Sequence, residues 1–121
     1  MLTRRSLAVV SAACAAGLAL PASGAAHTPI RSLSPPAGGT AGKRLSAVRV
    51  TFAARVPDAT LAVRDARGTQ VSRGRGTPSD HRHAVRVRLR SGLRAGRYRA
   101  TVRWLSADGH VQTRRWSFRL R

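Results

Sequence analysis

The chain has 121 residues, and its 23 Lys and Arg residues outweigh four Asp residues to give a formal net charge of +19. This length favours a single domain, and the one cysteine excludes an internal disulfide, so the fold must be stabilised by packing. Every basic residue except Lys43 is arginine, and the arginines are spread along the chain rather than collected in one tract.

The first 26 residues have the pattern of a secretory signal peptide. Arg4 and Arg5 precede fifteen uncharged residues from Ser6 to Leu20, and small residues continue to Gly24-Ala25-Ala26. This uncharged run is short for a transmembrane helix, and the pattern predicts export with cleavage after Ala26. The paired arginines also fit a twin-arginine export signal. We therefore expect a mature domain of residues 27–121 without a transmembrane segment, and export argues against nucleic acid as its partner.

Alternation of apolar and polar residues with period two predicts β-strands throughout the mature domain. We expect strands near 30–33, 46–54, 60–65, 84–90, 97–106 and 114–121. Pro, Gly and polar residues predict long loops at 32–44, after a short first strand, and at 72–83, and hairpin turns at 65–68, 94–97 and 106–109. Trp104 and Trp116 fall on the apolar phase and are expected in the core. About seven short strands predict an all-β fold, an antiparallel β-sandwich of immunoglobulin-like type.

Three polar residues form a candidate metal site. If the signal is removed after Ala26, His27 carries a free α-amine beside its imidazole, and the two nitrogens can chelate one ion. In an extended segment residues two apart point to the same side, so Asp108 and His110 can converge on that ion. Cu(II) prefers such a planar set of nitrogen and oxygen ligands. Taken alone, Asp108-Gly109-His110 is also compatible with an ordinary polar turn.

A second pair of histidines, His81 and His83, lies two residues apart next to Asp80. This spacing allows a second, weaker metal site. The simpler interpretation, which we prefer, is a solvated loop in which two histidines happen to alternate.

The stretches "AAHTPIRSLSPPAGGT", "VRVTFAARV" and "LRAGRYRATVRWLSADGHVQTRRWSFRL" together resemble copper resistance proteins of the CopC family over residues 27–121. The resemblance implies an immunoglobulin-like or cupredoxin-like β-sandwich in the periplasm that binds Cu(II) and takes part in copper resistance or homeostasis. It also implies the ligands, which are His27, through its α-amine and imidazole, together with Asp108 and His110. A copper-transporting inner-membrane protein is a candidate partner, and we expect a monomer.

The chain departs from the family pattern in three ways that bear on metal binding. In one, the Gly that often follows the Asp-Gly-His block is replaced by the run Thr113-Arg114-Arg115, which predicts a crowded cationic rim. Some family members place a Glu two residues after the Phe of the second strand, where this chain has Ala54, so no carboxylate ligand comes from there. Some members carry a Met-rich loop for Cu(I). The only methionine here is Met1, which is lost with the signal, so a thioether Cu(I) site is excluded.

The function expected from these residues is a Cu(II) carrier or buffer that is not an enzyme. Two alternatives remain open. A copper held by an N-terminal His and a second His is also the centre of lytic polysaccharide monooxygenases, although Asp108 as an anionic ligand would oppose reduction of the ion. The chain could also be a cationic β-sandwich for an anionic surface or partner, which is supported by the charge of +17 left without Arg4 and Arg5.

Overall fold

Eight β-strands and no helix build the part of the chain that the computed structural model describes, residues 27–121. The predicted signal peptide, residues 1–26, lies outside the described residues. Within residues 27–121 no helix is long and apolar enough to cross a membrane. The strands are β1 (Ile30–Ser34), β2 (Thr40–Ala41), β3 (Ala47–Phe52), β4 (Asp58–Asp65), β5 (Ser72–Ser79), β6 (Ala84–Leu89), β7 (Gly96–Leu105) and β8 (Val111–Leu120).

The strands form two four-stranded sheets. The first sheet has the order β1-β3-β6-β5, and the second has the order β2-β8-β7-β4. All neighbouring strands are antiparallel except β2, which runs parallel to the end of β8. The predicted all-β sandwich is therefore confirmed.

The core lies between the two sheets and is filled by the inward residues of the alternating strands. Trp104 and Trp116 are 6% and 5% exposed, as expected of core residues. The remaining aromatic side chains are buried as well, and they are Phe52, Tyr98 and Phe118. Burial of this apolar surface drives the two sheets together, while arginine occupies most outward positions.

The expected loop at 72–83 is wrong for Ser72–Ser79, which forms strand β5 at the edge of the first sheet. The prediction failed because "SRGRGTPS" contains no aliphatic or aromatic side chain apart from proline, and so carries no period-two hydrophobic signal. The strand is held instead by backbone pairing with β6, with a register shift between Arg73 and Thr77.

The other departures concern connections between strands. The segment 94–97 is not a hairpin turn, because β6 belongs to the first sheet and β7 to the second, so the chain crosses between sheets here. The hydroxyl of Tyr98 donates a hydrogen bond of 2.7 Å to the Arg94 carbonyl, which stabilises this connection between the sheets. Strand β2 lies inside the expected loop 32–44 and was missed because it spans only two residues. The turns at 65–68 and 106–109 are present. The turn at 106–109 joins β7 to β8 as a hairpin, whereas the turn at 65–68 is closed only by an isolated bridge between Arg64 and Gln70, because β4 and β5 belong to different sheets.

Candidate metal centre

Four segments meet at one end of the sandwich. The Ala53 N–H donates to the Pro29 carbonyl at 2.9 Å, and the Val56 N–H donates to the Arg82 carbonyl at 3.0 Å. The Thr28 N–H donates to the hydroxyl of Ser106. These bonds join the N-terminal segment, the loop after β3, the β5–β6 hairpin and the β7–β8 hairpin.

The backbone of Thr28 is held on both sides by residues of β7 and its hairpin. Its N–H donates to Oγ of Ser106 at 3.2 Å, and its carbonyl accepts a bond of 2.9 Å from Nε1 of Trp104. Ser106 in turn donates to Oε1 of Gln112 at 2.6 Å. Thr28 and Ser106 are 5% and 1% exposed, so these polar groups are buried and satisfied. His27 is thereby fixed beside the hairpin.

The β7–β8 hairpin presents Asp108 and His110 through its own hydrogen bonds. The Ser106 N–H donates to the His110 carbonyl, and the Gly109 N–H donates to the Ser106 carbonyl, both at 2.9 Å. Gly109 has φ +86°, a left-handed conformation that glycine adopts without steric cost. Oδ1 of Asp108 accepts the His110 N–H at 3.1 Å, which locks the turn and directs the second carboxylate oxygen at the imidazole.

His27, Asp108 and His110 come together at this end, with one potential ligand atom from each lying within 4.8 Å of the others. Oδ2 of Asp108 is 2.7 Å from Nδ1 of His110 and 3.7 Å from Nε2 of His27. The two imidazole rings are nearly perpendicular, at 89°, with centroids 5.5 Å apart. The side chain of Asp108 is 17% exposed, against 47% for His27 and 70% for His110, so the carboxylate lies between two more open imidazoles.

The electrostatics of the site keep this carboxylate negatively charged. The hydrogen bond from the His110 side chain lowers the pKa of Asp108 below its usual value, and the His110 N–H adds to the effect, although desolvation opposes it. A carboxylate that is already ionised can bind a cation without first releasing a proton. Two imidazoles and one carboxylate form a ligand set that suits a borderline transition-metal ion.

This is the only such group of three ligand atoms among residues 27–121. His81 and His83 belong to the β5–β6 hairpin, where Nδ1 of His83 contacts the Asp80 carbonyl at 3.1 Å. The residues Asp80, His81 and Arg82 all have positive φ. Ala54 lies exposed in the loop after β3 and offers no ligand atom.

The sequence pattern identified the three clustered residues but missed the groups that support them. Ser106 continues the inward phase of β7 after Val102 and Trp104, and a polar residue at such a position signals a buried hydrogen bond. Its partner Thr28 could not be predicted from the sequence, because the two residues are 78 positions apart.

The sequence model of the CopC domain family matches residues 30–121. No match was found among curated proteins. One similar solved structure is CopC from Methylosinus trichosporium OB3b, with 22% identity, a TM-score of 0.65, and coverage of 78% of this chain and 93% of that chain. Another is PcoC, a methionine-rich copper resistance protein from Escherichia coli, with 21% identity, a TM-score of 0.63, and coverage of 79% and 100%. Both structures share this fold.

The substitution Ser106→Ala tests the support of the N-terminal segment. It leaves the buried Thr28 N–H without an acceptor and Gln112 without its donor, so we expect a loss of about 1–3 kcal/mol in the free energy of unfolding. Ser117→Ala, on the outward phase of β8, is the matched control and should change stability by less than about 0.5 kcal/mol. Urea denaturation measures both, and equal losses would contradict the proposed role of Ser106.

The lowered pKa of Asp108 predicts a pH-dependent contribution to stability. Because its pKa is depressed in the fold, the ionised carboxylate stabilises the protein above the pKa of the unfolded chain, and this contribution is lost as pH falls through the folded value. Without metal, Asp108→Asn should therefore have a lower free energy of unfolding than the parent at neutral pH. This gap in stability should narrow below about pH 4. Denaturation midpoints across pH measure the gap. A gap that is constant from neutral to acid pH would refute this prediction.

Proposed function

This chain belongs to the CopC domain family, and on that premise we propose that it binds one Cu(II) ion through His27, Asp108 and His110 and serves as a copper carrier or buffer. The observation that carries the proposal is that these three side chains bring one potential ligand atom each to within 4.8 Å of the others at one end of the sandwich. The similar protein from Escherichia coli is named a copper resistance protein, which supports a role in copper tolerance.

The proposed ligand set is three nitrogens and one oxygen. Cleavage after Ala26 frees the α-amine of His27, which joins the imidazole of the same residue on the ion. His110 supplies the third nitrogen and Asp108 the anionic oxygen. Cu(II) favours this tetragonal arrangement and stands highest in affinity among the divalent ions of its row. The chain between residues 27 and 121 contains no methionine, so a thioether site of the kind that selects Cu(I) has no ligands here.

The proposal includes export and cleavage of residues 1–26, because the α-amine of His27 does not exist in the uncut chain. The basic start, the uncharged run and the small residues before His27 support a signal peptide. We accordingly propose the periplasm as the location. The exposed imidazole of His110 supports exchange of the ion with a partner, for which a copper-transporting inner-membrane protein is the candidate.

A non-enzymatic role is favoured over oxygen chemistry on glycans. All five aromatic side chains of the chain are buried, so the surface of residues 27–121 offers no aromatic platform for a polysaccharide. Asp108 as an anionic ligand stabilises the oxidised ion and opposes the reduction that oxygen activation needs. We therefore propose storage or delivery of the ion rather than turnover.

Titration with Cu(II) against a competing chelator tests the proposal with two chains, one starting at His27 and one retaining Ala26. We expect the first chain to bind one equivalent with a dissociation constant below about 1 μM. Removing a residue that only hydrogen-bonds to a metal ligand typically lowers metal affinity by about 10- to 100-fold. The second chain loses a direct ligand, so its affinity should be at least about 100-fold lower.

The variant His81→Ala, in the chain that starts at His27, is the control and should retain full affinity because it lies outside the cluster. Equal affinity of the two chains would exclude the α-amine as a ligand. Loss of binding in His81→Ala would place the ion elsewhere.

A further inference from the structure

The outer face of the second sheet carries six exposed arginines, here called the arginine face. All six point outward from β4, β7 or β8, and they are Arg64, Arg97, Arg99, Arg103, Arg115 and Arg119. The one carboxylate in outward phase on these strands is Asp58, at the end of the face near the candidate metal centre, opposite Leu105.

The arginines of this face repel one another in the isolated molecule. Arg97 lies directly opposite Arg119, and Arg64 lies directly opposite Arg99. Like charges in directly opposed positions destabilise a sheet. The ion pairs found among residues 27–121 join only histidines to Asp108, so no carboxylate neutralises these guanidinium groups. An anionic partner would remove this repulsion. The first sheet also has directly opposed arginines, Arg49 with Arg86 and Arg73 with Arg88, so the choice between the two faces depends on their shape.

The shape of the face favours an extended partner. Strands β7 and β8 pair over ten residues, about 33 Å, and neither this pairing nor that of β4 with β7 contains a register shift. The pairings of β1 and β5 in the first sheet do contain shifts. The second sheet therefore presents the more continuous of the two outer surfaces.

The residues between the arginines argue against a protein partner. They are short, namely Thr60, Ala62, Thr101, Thr113 and Ser117. Specific protein interfaces are built around desolvated anchors, often aromatic, and every aromatic side chain of this chain is buried. Charge spread over a broad surface without such an anchor suits the phosphate groups of a lipid bilayer, which guanidinium groups bind in a planar, bidentate manner.

We propose that the arginine face docks the protein onto the surface of a bilayer that contains anionic phospholipids. At one end of the face Val111, which is 58% exposed, lies opposite Leu105 and directly follows His110. The candidate metal centre therefore lies at the rim of the docked face, in the hairpin beyond the strand ends. Docking depends on the arginines alone, so it is independent of copper binding.

Vesicle sedimentation of the chain 27–121, which contains all eight strands, tests the proposal in the presence of a metal chelator. We expect binding to vesicles of phosphatidylglycerol and phosphatidylcholine in equal parts, and none to phosphatidylcholine alone. Binding should be lost between about 50 mM and 0.5 M salt, because the contacts are screened. The triple variant Arg97→Gln, Arg99→Gln, Arg119→Gln should bind roughly 100-fold more weakly, at about fivefold per arginine.

A second triple variant has the same net charge and serves as the matched control. It changes Arg49, Arg86 and Arg88 to Gln on the outer face of the first sheet, where Arg49 opposes Arg86, and it should weaken binding by less than about fivefold. The double variant Arg64→Gln, Arg103→Gln repeats the test on the arginine face, with a loss of roughly 25-fold expected.

Three outcomes would overturn the proposal. Equal losses in the two triple variants would mean that net charge, not this face, governs binding. Equal binding to vesicles of phosphatidylcholine alone, whose headgroups carry phosphate but no net charge, would exclude a requirement for anionic phospholipids. Binding to soluble polyglutamate without binding to anionic vesicles would identify an acidic protein as the partner.

Discussion

Two hydrogen bonds to the backbone of Thr28 hold the candidate metal centre together. Trp104 donates to its carbonyl and Ser106 accepts from its N–H, so the first residues of the described chain are tied to a hairpin 78 residues later. Without these bonds the chain would be held only from Pro29 onward, by its bond to Ala53, and His27 could take many positions relative to Asp108. The entropy of ordering this end is offset by bonds formed in the core rather than by the ion.

The core and the site are therefore coupled through one side chain. The ring of Trp104 packs on Phe52, with centroids 5.5 Å apart, while its N–H reaches the N-terminal segment. The same indole therefore packs in the apolar core and holds the N-terminal segment beside the metal centre. Such a preorganised set of groups can take up an ion with little rearrangement, and the exposed imidazole of His110 leaves a route for the ion to depart.

The sequence predicted the elements whose hydrophobic pattern is strong and the site residues whose spacing is local. Five strands followed from alternation and a short first strand was expected before the Pro/Gly-rich loop, while Asp108 and His110 followed from a separation of two residues. Strand β5 could not be predicted because it is held by backbone bonds to β6 and buries little apolar surface of its own. The support of His27 by Ser106 and Trp104 could not be predicted either, because it depends on how distant strands stack. The arginine pairs of the second sheet likewise required the register of β4, β7 and β8.

In the proposed site His27 binds copper through its α-amine as well as its imidazole. Electron paramagnetic resonance of the Cu(II)-loaded chain tests this coordination when histidine carries the heavy stable nitrogen isotope only at the α position. Every other histidine α-nitrogen lies in a peptide bond, so the label reports on His27 alone. Coordination by the α-amine predicts that labelling changes the hyperfine coupling of one directly bonded nitrogen and leaves two imidazole couplings unchanged. A spectrum unaffected by the label would contradict it.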